Sequence, residues 1–159
     1  MLKSKWNGHL QLLALMGVVT VLAAASIAAD LTAPRDTPAR NGNAVSLTQK
    51  DAEIIYVGAI TCVDTNGEAV NAADTATLVA VGRAEATVDN TADGELITVG
   101  RGVYQWENGG SFTDADIGTT AYVEDNQTVT TLALASNNVA VGKIIDVDSD
   151  GVWVDTAER

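Results

Sequence analysis

With 159 residues the chain has room for one ordinary domain and some additional sequence; 47% of it is apolar but only 4% aromatic, which predicts a single thin core rich in Ala and Val. The net charge is −12, and from Asn41 onward 19 acidic residues face five basic ones (Lys50, Arg83, Arg101, Lys143 and Arg159), leaving −14 on that stretch. Such a body repels phosphate backbones and offers no basic stripe, which argues against direct nucleic-acid binding.

The chain opens with Lys3 and Lys5, followed by an uncharged, largely apolar stretch from Leu10 to Ala29. A basic start, an apolar middle and a small-residue end are the layout of a secretory signal, with Ser26 and Ala28 placed for cleavage after Ala28. At about 20 residues the stretch is also long enough to span a bilayer as a helix. A third reading starts translation at Met16 or assigns the extension to an upstream reading frame. Residues 1–29 are thus expected as an apolar helical leader, signal-like or membrane-spanning, that need not persist in the mature protein. Residues 30–43 follow as an extended arm. Pro34 and Pro38 deny the backbone two donors and bias the residues before them to extended conformations, while Arg35 and Arg40 bring the local charge towards parity.

Residues 44–159 read as short strands divided by turn chemistry. Ile54–Val57 and Ala59–Val63 are rich in β-branched residues, and Asp64, Thr65, Asn66 and Gly67 form a turn before Ala69 and Val70. Leu78–Val88 breaks phase at Gly82, as at a bulge, and Leu96–Val99 and Val103–Trp106 flank a kink at Gly100–Gly102. Thr113 to Gly118 is suited to a short helical turn, with Thr113 as cap, Asp116 three residues on and Gly118 as stop. Two hairpins close the chain: Ala121–Glu124 with Thr128–Thr131, and Val139–Val147 with Val152–Val154. Seven to nine strands at this spacing predict a mainly β fold, a small barrel or sandwich. Val79-Ala80-Val81-Gly82-Arg83 recurs as Val139-Ala140-Val141-Gly142-Lys143, which reads as two similar strands that each bend at a glycine; one echo is too little to predict a repeat architecture.

No catalytic constellation stands out. The single histidine, His9, lies in the leader, so the body has no imidazole for general-base or metal duty. Phosphate-binding and dinucleotide glycine motifs are missing, and the carboxylates show no spacing that singles out a pair. Cys62, between Thr61 and Val63, reads as a small buried strand residue. Asp146, Asp148, Asp150 and Gly151 match the first half of a calcium loop, but the twelfth position is Ala157 and the valines around them alternate like a strand, which favours an acidic hairpin turn. No catalytic, cofactor or metal site is therefore expected.

Several of these segments together resemble a known family. The Thr32–Arg40 arm, Ile55–Ala59, Val81–Glu85, Arg101–Tyr104, Ile117–Gly118, Tyr122–Val129 and Asp150–Val154 fall in the order found in phage capsid cement, or head decoration, proteins. The resemblance covers about residues 30–156, and family members start near the position of Leu31. It implies a compact β domain placed as a homotrimer on the exterior of the virion, with the major capsid protein as partner. It also implies an arm that helps to hold the shell, here Thr32, Pro34, Arg35, Pro38 and Arg40. The alternative, suggested by the leader, is an exported or membrane-tethered bacterial β domain of prophage origin without catalytic activity, periplasmic or anchored through residues 1–29.

Overall fold

The computed structural model describes residues 41–91 and 94–158, with Ala33 and Arg35 besides; the leader lies outside the described residues, as do Thr32, Pro34, Pro38 and Arg40 of the arm. The body is mainly β, with one short 3₁₀ turn. Among the described residues there are twelve strands instead of the expected seven to nine. The segment Leu78–Val88 splits because the chain turns at Glu85–Thr87, and a strand at Ala44–Thr48, whose side chains are only half-buried on one face, gave too weak an apolar alternation to be foreseen.

The first seven strands are β1 (Ala44–Thr48), β2 (Ile54–Ile55), β3 (Ile60–Val63), β4 (Ala69–Asn71), β5 (Val79–Ala84), β6 (Val88–Asp89) and β7 (Leu96–Gly100). Five of them form a sheet in the order β1-β7-β5-β3-β4, and a parallel bridge from Gln49 to Ala69 brings its two outer strands together. The remaining pair, β2 and β6, makes a small separate ladder. The second half contains β8 (Val103–Asn108), β9 (Thr120–Val123), β10 (Thr128–Thr130), β11 (Ala140–Asp148) and β12 (Gly151–Asp155). These close into a barrel in the order β10-β8-β12-β11-β9, the closing contact being the parallel pairing of β8 with β10.

The two halves are the same unit twice. The strand orders superpose when β1, β3, β4, β5 and β7 are matched with β8, β9, β10, β11 and β12, and the registers agree residue by residue. Ile60, Thr61 and Cys62 pair with Arg83, Gly82 and Ala80; sixty positions on, Thr120, Ala121 and Tyr122 pair with Lys143, Gly142 and Ala140. Ala44 opposite Gly100 corresponds to Val103 opposite Asp155. Irregular features repeat as well. Gly58 N–H donates to the Ala84 carbonyl as Gly118 N–H does to that of Ile144, and both glycines have positive φ, +90° and +86°. Ala52 and Ser111, which open the loops after the parallel bridges, share a left-handed backbone (φ 59° and 56°). The echo that the sequence offers as two similar strands is thus the visible part of a tandem duplication.

The shared glycine explains the bend. In each unit one residue, Val81 or Val141, is extra relative to the partner strand, and a glycine follows the bulge. A Cβ on Gly82 would collide with the carbonyl oxygen of Gly100, and one on Gly142 with that of Asp155. Only a residue without a side chain lets the neighbouring strand approach there.

Chain length suggests one core, but the apolar interior divides into two clusters. Ile55, Ala69, Ala84, Ile97 and Val99 fill the first unit. Val123, Val129, Val141, Ile144, Val152 and Val154 fill the barrel, and their cluster continues into Ile60, Cys62, Val70, Ala72 and Ala80 of the first unit. Those five side chains line the junction between the units, so Cys62 is buried there, as its neighbours predict.

Candidate interaction surface

Of the five arm residues predicted to contact a shell, Arg35 is described and exposed; Thr32, Pro34, Pro38 and Arg40 lie outside the described residues. The described surface must therefore be read by itself. Among the described residues no group of three or more His, Cys, Asp or Glu is arranged to hold a metal, and no helix is long and apolar enough to cross a membrane.

The Asp146–Gly151 segment, which carries half of a calcium-loop pattern, is the β11–β12 hairpin turn. Asp148 spends its carboxylate on that turn: Oδ1 accepts the amides of Asp150 (2.8 Å) and Gly151 (3.0 Å), and Oδ2 accepts the Trp153 indole (2.8 Å). Gln105 Nε2 donates to both oxygens, at 2.9 and 3.1 Å. These donors, the indole foremost, hold the Asp148 carboxyl below its ordinary value. The predicted helical turn is the 3₁₀ segment Asp114–Asp116, where the Asp116 carboxylate accepts from both the amide (2.8 Å) and the hydroxyl (3.1 Å) of Thr113.

Polar side chains bolt the two units together around the buried junction. The amide of Ile60 donates to the Asn126 carbonyl (2.7 Å), and Asn126 Nδ2 donates to Asn71 Oδ1 (2.9 Å). Asn71 is itself fixed by the Glu53 carboxylate at 2.8 Å. The Trp106 indole donates to the Gly58 carbonyl (3.3 Å). On another side, Arg83 pairs with Glu85 (2.9 Å) and lies over the Tyr104 ring, 4.3 Å from its centroid. Burial, and then the Glu85 charge, raise the Tyr104 phenol above its ordinary value. Asp74 of the first unit accepts the amides of Ser136 (2.5 Å) and Asn137 (2.8 Å), which fastens the loop after β10; chiefly the Ser136 bond holds its carboxyl low.

Asp74 and Asp148 both have folded-state values depressed below the unfolded ones, so their contribution is present above the ordinary Asp range and is lost as pH falls through the folded value. The melting temperature should drop as pH falls into and below the ordinary Asp range, and Asp148→Asn should lower it at neutral pH while flattening that acid dependence. Thermal melts across the pH series check this; an unchanged slope in Asp148→Asn would remove the residue from the acid response.

Two clefts carry exposed apolar side chains at their edges. One, of about 610 Å³, runs along the boundary of the units past Tyr56, Val57, Gln105, Trp106 and Asn126. Tyr56 and Val57 stand 61% and 59% exposed at its lip. The other, of about 390 Å³, lies on the barrel alone and is lined by Phe112, Thr120, Tyr122, Thr131 and Leu132. Sequence reasoning missed both, because their residues are remote in the chain and individually ordinary. Comparison of the chain with known protein families, with curated proteins and with solved structures finds no match.

Proposed function

We propose that the protein is a non-enzymatic head decoration (capsid cement) protein that binds the major capsid protein on the outside of an assembled phage head, as a homotrimer, and stabilises the shell. The observation that carries this reading is where the family-like motifs meet. Arg83 and Glu85 of the Val-Gly-Arg-Ala-Glu segment converge with Tyr104 of Arg-Gly-Val-Tyr, and Asn126 of the Tyr-Val-Glu-Asp-Asn-Gln-Thr-Val segment reaches Ile60 and Asn71 across the unit boundary. The residues most reminiscent of the family are spent on joining two β units rigidly, which suits a clamp better than a catalyst.

A ligand that binds only the assembled lattice shifts it away from disassembly by mass action, by about 3 kcal/mol per site at roughly a hundred times its Kd. Heads stripped of the protein should release DNA at lower temperature, and adding back the purified chain should restore them. Equal resistance of bare and decorated heads would overturn the reading. The apolar stretch Leu10–Ala29 favours the second reading, an exported or membrane-tethered β domain; recovery of the chain in the periplasm or membrane of cells making no heads would establish that one.

A further inference from the structure

We infer that the Tyr122–Leu132 face of the barrel docks the β3–β4 turn of a second copy of this chain, repeating between molecules the contact that joins the two units within one. The argument rests on the duplication and stands apart from the capsid reading. In the first unit, Ile60, Cys62, Val70 and Ala72 are at most 6% exposed, covered by the second unit. Their counterparts in the second unit are Thr120, Tyr122, Thr130 and Leu132; Thr130 is buried, but Thr120, Tyr122 and Leu132 line the open 390 Å³ cleft, with Leu132 57% exposed. The same sheet face is thus a filled interface in one copy of the fold and an unfilled groove in the other.

What fills the first interface identifies the occupant of the second. Asn126, at the tip of the β9–β10 turn, bonds the Ile60 amide and the Asn71 side chain. The positions equivalent to Ile60 and Asn71 are Thr120 and Thr131, both lining the open cleft. The position equivalent to Asn126 is Asn66, again an asparagine, at the tip of the β3–β4 turn, where it is exposed. The two turns share one closing bond, Asp64 N–H to the Glu68 carbonyl (3.0 Å) and Glu124 N–H to that of Thr128 (3.1 Å), and each is also capped by an aspartate, although at positions one residue apart: Asp64 Oδ1 accepts the amides of Asn66 (2.8 Å) and Glu68 (3.1 Å), and Asp125 Oδ1 those of Gln127 and Thr128 (both 2.9 Å). Each chain therefore carries one spare plug and one spare socket at positions equivalent to those that meet within the chain. A contact of plug to socket is heterologous, and it closes into a ring or runs on as a chain.

A body of net −14 repels its own copies, so the contact is best trapped covalently. Full-length chains carrying Asn66→Cys and Thr131→Cys separately are mixed under mild oxidation, with Asn66→Cys plus Thr91→Cys as the mismatched pair. A single chain carrying Asn71→Cys and Asn126→Cys is the positive control, since those side chains already touch at 2.9 Å. The expected result is a disulfide heterodimer from the matched pair, absent from the mismatched pair and abolished by Leu132→Asp in the socket chain. If the internal control cross-links while the matched pair yields no more heterodimer than the mismatched one, the inference is wrong. Head binding and stabilisation, measured separately with the Leu132→Asp chain, show whether the decoration reading stands or falls by itself.

Discussion

Replacing Gly82 or Gly142 with valine is expected to destabilise the body by about 3 kcal/mol or more, a large part of the stability of an ordinary domain. At both positions the new Cβ would meet a backbone carbonyl, Gly100 in one unit and Asp155 in the other, and a carbonyl held in a strand ladder cannot rotate aside as a long side chain can. Either the bulge is ironed out, which shifts the register of β5 or β11 and turns its apolar face outward, or the neighbouring strand is pushed away. Gly42 is the control, because its Cβ would meet nothing within 4 Å; Gly42→Ala should be within about 0.5 kcal/mol of the parent. Urea unfolding of the three variants reads the difference. Parent-like midpoints for Gly82→Val and Gly142→Val would mean that the bulge does not need its glycine.

These two glycines also mark how far the sequence was legible. The segment Val79–Arg83 and its echo could be recognised because each must cross its sheet next to a closely packed carbonyl, which restricts the residues that fit. Gly58 and Gly118, Val63 and Val123, and Asn66 and Asn126 are the next equivalences, each isolated and therefore silent without coordinates. Elsewhere the copies have diverged because their surroundings differ. Ile60 and Cys62 face the second unit, while Thr120 and Tyr122 line an open cleft, so the same strand positions carry side chains of different polarity. The spacing also drifts: eleven residues separate the fourth and fifth core strands of the first unit and two separate those of the second, and the longer connection makes room for β6 and its pairing with β2. In the second unit the corresponding connection is the tight turn that Asp148 holds. The turn chemistry, the bulge and both late hairpins were readable because each rests on local residues. The clefts were not, since a groove is a property of the packing.

Truncating Ile60 to alanine should cost about 2–5 kcal/mol, although the residue belongs to a short strand near the boundary of its own unit. Ile60 has no exposed surface, and it lies in the cluster that contains Trp106, Phe112 and the barrel valines, so the cavity would open where the two units meet. The barrel side cannot collapse into it easily. Asn126 and Trp106 are held against the first unit by hydrogen bonds to the Ile60 amide and the Gly58 carbonyl, which remain after the truncation and keep the walls apart. This predicts that the units unfold together: their shared cluster couples them, and neither exposes its junction face without the other. Denaturant unfolding of the parent should be a single transition, and Ile60→Ala should shift its midpoint without changing its slope. A second transition appearing in the variant, or a parent that already unfolds in two steps, would mean that the units are stable separately and that the junction is only a contact. The comparison with Val99→Ala, buried inside the first unit and away from the boundary, separates loss of a local core from loss of coupling. Val99→Ala removes less volume and should lower the same single midpoint, whereas uncoupling by Ile60→Ala would leave the barrel's own transition behind at higher denaturant.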